Sequence, residues 1–290
     1  MIYYLEDNEL STSSAVLRVC GPDANTYLQG QFTQDLRLAA GHSAYGLWLD
    51  LKGKVLADSQ VLKRAENDYL VVSFSAKAAE LVARLESHLI ADEVELEDQT
   101  AAWAGMLLWG NGAGDLAPPA QVLALPSRRA GVGGRQWIVP AGGIEVVRAT
   151  LKGQATPASH AAAELARLRA AIPTVPVDVG PRDLPNEGGL DDVAISYTKG
   201  CYLGQEVMAR LKNLGQVRRR LHLVRGPGVP PAPGTALFQG ERKVGETRSA
   251  AREGDGFLAM AMLSLVNLDA AAGLAMAAGG SAGVKILQRV

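Results

Sequence analysis

Cys201 stands in the run Tyr197-Thr198-Lys199-Gly200-Cys201-Tyr202-Leu203-Gly204-Gln205-Glu206-Val207-Met208-Ala209-Arg210, where a thiol, a cation and two glycines crowd together. The chemistry on offer is that of a thiolate. Lys199 lies two residues ahead of Cys201, so in an extended segment both side chains leave the chain on one face. Gln205 to Lys212 reads as a helix that Gly215 ends. Cys201 then falls just upstream of a helix N-terminus, where unpaired N–H groups carry partial positive charge. A nearby cation and a helix N-terminus both favour thiolate over thiol. The same residues also fit a small buried cysteine in a strand-to-helix turn, since cysteine is among the most buried residue types. Gly200 and Gly204 permit tight backbone geometry on either side. As a loop residue, Lys199 is expected to tolerate replacement by Met without loss of the fold. Cys20 follows Val16-Leu17-Arg18-Val19 and reads as a core residue.

Other side chains could take part. Asp58, on a predicted strand, fits a solvent-facing carboxylate, or could move protons or orient a ligand nitrogen. Glu187 sits in a Gly- and Pro-rich loop, as a functional acid or a turn-stabilising one. Arg210 falls one turn after Glu206, the spacing of a helix-surface ion pair. Arg218-Arg219-Arg220 reads as a solvated strand face rather than a nucleic-acid contact, given a net charge of -1. Trp48, Trp103, Trp109 and Trp137 read as core, any one of them able to stack on a flat ring.

The elements that must position these groups alternate in kind. Strands are expected over 55–62 and 69–74, then a helix capped by Ser75 with Leu81, Leu85 and Leu89 on one face, then a strand over 94–97. This α+β unit lays a helix on an antiparallel sheet. Further short strands are expected at 106–109, 121–125 and 136–139. Ser159 should cap a second helix that Pro173 ends, with Leu165, Leu168 and Ile172 on its apolar face. Residues 173–190, with four prolines and three glycines, read as a structured loop, and 194–198 as extended chain. After Gly215, strands at 217–224, 236–238, 243–249, 257–265 and 284–287 suggest a small β-barrel.

A length of 290 residues is compatible with two domains or three small ones. Two cysteines and four histidines, with no Cys-x-x-Cys pair, argue against a metal module. Met1 to Asp7 has neither a basic region nor an apolar one of the secretory kind, so the cytoplasm is the expected compartment. Phe257 to Val266 is too short to span a bilayer, so no membrane role is expected.

Lys199, Gly200, Cys201, Tyr202, Gly204, Gln205 and Glu206 together resemble the signature of the YgfZ family, whose members serve iron–sulfur cluster assembly. That family is similar in fold to the T-protein, the aminomethyltransferase of glycine cleavage. Supporting blocks are Gly21-Pro22-Asp23-Ala24 with Tyr27-Leu28-Gln29-Gly30-Gln31, Leu49 to Val55, Ile172-Pro173, Leu184-Pro185-Asn186-Glu187 and Arg218 to Leu221. The resemblance implies an α+β, T-protein-like fold with three domains. These are a discontinuous folate-binding domain (residues 1–48 and 141–216), a ferredoxin-like domain (49–140) and a C-terminal β-barrel (217–290). It implies tetrahydrofolate or a related reduced folate in the central opening. Asp58, Glu187, Tyr202, Gln205, Glu206 and Arg210 are then expected to bind it, Arg210 by gripping a glutamyl carboxylate. Cys201 and Lys199 are expected to supply the chemistry, and iron–sulfur client or assembly proteins to be the partners. The alternative is a folate-dependent aminomethyltransferase. Two departures stand out: Arg169-Ala170-Ala171 replaces the Glu-Ala-Gly that often precedes Ile-Pro in related chains, and Asp58 is alone where T-proteins place an acid after a Gly-Gly turn.

Overall fold

The structure is a computed structural model describing residues 1–7 and 14–290. The chain opens with β1 (Ile2–Asp7) and β2 (Ala15–Cys20), then α1 (Ala24–Gln31). β3 (Ser43–Leu49), β4 (Val55–Ala65) and β5 (Asp68–Ser73) form a meander, followed by α2 (Ala78–Glu86), β6 (Glu95–Asp98) and β7 (Trp103–Gly110). β8 (Leu123–Ser127), β9 (Gly134–Pro140), α3 (Ile144–Leu151), the two-residue β10 (Thr156–Pro157) and α4 (His160–Arg169) come next. After the 173–190 loop come α5 (Asp191–Ala194) and α6 (Gln205–Leu214). The chain closes with β11 (Arg219–Pro227), β12 (Ala236–Gln239), β13 (Arg242–Glu253), β14 (Gly256–Ser264) and β15 (Lys285–Arg289).

These strands make three five-stranded sheets, ordered β10-β1-β7-β9-β8, β3-β4-β5-β2-β6 and β12-β13-β14-β11-β15. The third is the expected C-terminal barrel. Along β14 nearly every residue is buried, because one side faces the barrel interior (Phe257, Ala259, Ala261, Leu263) and the other packs on the body (Leu258, Met260, Met262). On β4, alternation separates two environments. Ala57 and Val61 enter the core beneath α1 and α2, and Ser59 on that face accepts a bond from Trp48 Nε1. Asp58, Gln60 and Leu62 face the other way, toward the first sheet.

The sheets group residues differently from the division expected at 48/49. That junction falls inside β3, which pairs with β4 through Leu47↔Asp58 and Leu49↔Val55. β2 pairs with β5 through Leu17↔Val71, and β1 leaves for another sheet to pair with β7 through Tyr3↔Trp109. Residues 15–98 therefore share one sheet. Long-range pairing decides this, and local periodicity carries no record of it.

Candidate functional site

A cavity of about 290 Å³ opens where the first two sheets meet α4 and the 173–190 loop. Asp58 and Gln60 reach it from β4, Tyr45 from β3, Arg128 and Arg129 from the turn after β8, and His160 from α4. Asp58 is held from both sides: Tyr45 Oη donates to Oδ2 at 2.8 Å and Ser75 Oγ to Oδ1 at 2.6 Å. Burial pushes its carboxyl above the ordinary value, against the opposing pull of those two hydrogen bonds and Arg129. The Tyr45 phenol is likewise pushed up, by burial and then by Asp58. Ser75 is thus no helix cap. α2 begins three residues later at Ala78, and the Ser75 hydroxyl instead fixes Asp58. Gln60 Nε2 donates to Pro126 O at 2.9 Å, which leaves its Oε1 buried without a partner. The far wall is braced by Arg167, almost fully buried, which donates to Asp178 Oδ2 at 2.8 Å and to Ser249 Oγ at 2.6 Å. That brace ties α4 to the loop and to β13 of the barrel. Ser159 Oγ caps α4 by accepting from Ala162 N at 3.2 Å, as its sequence predicts.

The Cys201 segment lies outside this cavity and is built differently. The Lys199 side chain turns inward. Its Nζ donates to Gln29 O at 2.9 Å, Phe32 O at 2.6 Å and Gln34 O at 3.0 Å. An ammonium has three donors, and here they satisfy carbonyls at and beyond the C-terminal end of α1, where a cation also suits the helix dipole. Burial pushes this amine down to about 8. Lys199 is therefore a buried tether, and its charge serves the end of α1. The expectation that it is a dispensable loop lysine fails. Residues 195–198 join no strand of the three sheets, so the shared face expected for Lys199 and Cys201 is not made, and Cys201 is exposed.

The rest of the motif divides in the same way. Tyr202 is buried in the core shared with the barrel, its ring 5.4 Å from Lys199 Nζ. Gly204 adopts φ +84°, and a Cβ there would lie 2.7 Å from Asp50 O. Only glycine lets the segment press onto the β3–β4 hairpin at that point. Gly200 meets no such restriction. Gln205 is half-buried at the first residue of α6, and Glu206 and Arg210 form an exposed i,i+4 ion pair at 3.1 Å.

Glu187 proves to be the turn-stabilising acid. It accepts from Leu184 N at 2.8 Å and from Arg219 Nε at 2.8 Å, joining the loop to β11. Of the six residues expected to bind folate, Asp58 lines the cavity and the other five lie elsewhere. No tryptophan lines it either, so none is placed to stack on a ring there. Sequence reasoning missed Tyr45, Gln60, Arg128, Arg129 and His160. The one local signal was the alternation on β4, which puts Gln60 on the face of Asp58.

Comparisons with known proteins bear on this architecture. Residues 10–123 match the GCVT N-terminal domain, and residues 218–287 match the CAF17 C-terminal beta-barrel domain. The tRNA-modifying protein YgfZ of Aliivibrio fischeri is 30% identical over 263 residues, covering 86% of this chain and 82% of the relative. The chain belongs to the YgfZ family. A second relative, the mitochondrial iron-sulfur cluster assembly factor IBA57 homolog of Cryptococcus neoformans, is 28% identical over 241 residues. That match covers 73% of this chain and 64% of the relative's length. Among solved structures, aminomethyltransferase T of the glycine cleavage system from Bartonella henselae matches with a TM-score of 0.79. It covers 98% of this chain and 84% of that one at 18% identity, a likeness of fold. The YgfZ-family resemblance and the T-protein-like fold with its C-terminal barrel are thus established.

Proposed function

We propose that this chain binds a reduced folate in the Asp58 cavity and assists assembly or repair of iron–sulfur clusters in client enzymes, offering Cys201 to them. The observation that carries the proposal is the enclosed acceptor pair, the fixed Asp58 carboxylate and the unpartnered Gln60 Oε1. A reduced pterin presents several N–H donors in one plane, and a cavity of about 290 Å³ is close to the lower end of small-molecule sites. Arg128 and Arg129 would hold the anionic tail through guanidinium forks. When bound, a reduced folate supplies one-carbon or reducing chemistry. The chain's own part is to orient it through Asp58 and Gln60 and to limit water's access to it.

Cys201 belongs to a second surface. Among the described residues, no group of three or more His, Cys, Asp or Glu side chains is gathered as a metal site. In this reading any cluster that Cys201 touches is cargo, completed by a partner's ligands. The relatives' names support this: one is an iron-sulfur cluster assembly factor and another a tRNA-modifying protein. No described helix is long and apolar enough to cross a membrane. The cytoplasm is the compartment this reading assumes, although the fungal relative is named as mitochondrial.

A deletion strain complemented with wild type should recover cluster-enzyme activity, and Cys201→Ala should not. Full recovery with Cys201→Ala would remove the thiol from the account. Tetrahydrofolate should bind in the micromolar range, near -8 kcal/mol, and calorimetry without heat for any reduced folate would remove the ligand. The enclosed carboxylate also favours a second reading, a folate-dependent aminomethyltransferase. Ammonia release from an aminomethylated lipoyl carrier protein, lost on Asp58→Asn, would establish that reading.

A further inference from the structure

Within the run Arg218-Arg219-Arg220, Arg219 is held by ion pairs to Asp183 and Glu187. Its two neighbours line a second hollow of about 590 Å³ between the end of α6 and the barrel. Lys212 from α6 and Arg289 from β15 line it as well, so four cations converge from three elements. One carboxylate, Asp191, stands among them. Among the described residues none of the four cations forms an ion pair. Arg220 Nε donates to Val290 O at 2.9 Å, and Lys212 Nζ lies 4.6 Å from the Tyr197 ring centre. Burial and then Arg289 push the Arg220 guanidinium below its usual value, against the opposing pull of Asp191 and Asp192. His222, whose backbone pairs with that of Arg289, is pushed down by burial and by the same two arginines. Asn186, itself buried, lies at the floor with Oδ1 lacking any hydrogen-bond partner. Leu265 and Val266, just after β14, add an apolar wall.

We infer that this hollow is a binding site for a small organic phosphate, with the arginine forks on a di- or triphosphate group and the apolar wall against its body. Guanidinium suits phosphate because its N–H groups match two oxygens at once. The hollow exceeds what a single anion needs and falls within the range of small-molecule sites. Its lining shares no residue with that of the Asp58 cavity, so it stands whether or not folate binds there.

The test is calorimetry of the full chain with inorganic pyrophosphate and, separately, ADP. Each should give saturable heat that weakens as salt rises. The Arg218→Glu/Arg289→Glu pair should weaken binding by about tenfold or more. Both side chains are exposed, so the variant should melt with wild type. If it does not, Arg218→Gln/Arg289→Gln serves in its place and should weaken binding by a smaller factor. Absence of heat with both probes overturns the proposal. So does unchanged binding in a natively folded variant. An RNA hairpin that binds and is lost on substitution, while neither small phosphate binds, overturns it in favour of a nucleic-acid surface.

Discussion

The Asp58 cavity and the Cys201 segment are opposites in construction. The cavity is assembled from residues scattered between Leu5 and Leu190, and its polar groups are aimed inward with acceptor capacity to spare. The Cys201 segment is contiguous and conspicuous, yet most of it is committed to the fold. Lys199 closes the end of α1, Tyr202 fills the core and Gly204 seats the backbone on a hairpin. What remains free is one exposed thiol. A dense motif can thus be mainly a mount, with its chemistry concentrated in a single atom that the mount holds outward.

That contrast can be broken most directly at Lys199. Lys199→Met should cost about 3 kcal/mol, because several carbonyls lose their donor at once. The urea midpoint should fall without a change in slope. A loss below about 1 kcal/mol would mean that water replaces the ammonium, and the segment would not be a mount.

Asp58 should behave in the opposite sense. Burial raises its folded pKa above that of the unfolded chain, so the folded state binds the proton more tightly. Its contribution to stability is therefore full at low pH and is lost as pH rises through the folded pKa. Asp58→Asn should gain stability relative to wild type as pH rises from 4 to 8, while weakening folate binding. An equal gap at both pH values would show that the carboxylate bears no desolvation cost.

A smaller effect is expected at Ala171, which follows α4 with φ 51° in the left-handed region. Ala171→Gly should raise stability by about 0.5 kcal/mol, read as a higher thermal midpoint. A lower midpoint would show that the alanine methyl's packing in the core shared with the barrel outweighs the backbone strain. The smallest effect belongs to Cys201→Ser, within about 0.5 kcal/mol of wild type, since an exposed side chain leaves no cavity. A cost above that would make the thiol structural and erase the contrast.

Local pattern was enough for some of this. Ser159 ahead of an apolar helical face predicts α4, and turn-punctuated short strands predict the barrel. Alternation on β4 gives Asp58 and Gln60 a common face. The Lys199–Glu206 motif suggests the family by resemblance, and similarity over most of the chain shows it. Roles were less legible. Lys199 reads as a partner for Cys201 because the two are near in sequence, whereas its real partners lie 165 to 170 residues away. Ser75 reads as a cap because it precedes a helix, yet its hydroxyl belongs to Asp58, 17 residues earlier. Propensity and periodicity are set within a turn or a strand, so the sequence by itself determined which elements form and which faces are apolar. Sheet pairing and burial bring distant backbone groups together. Only the tertiary structure could decide which charges are spent on holding the chain and which are left to meet a ligand.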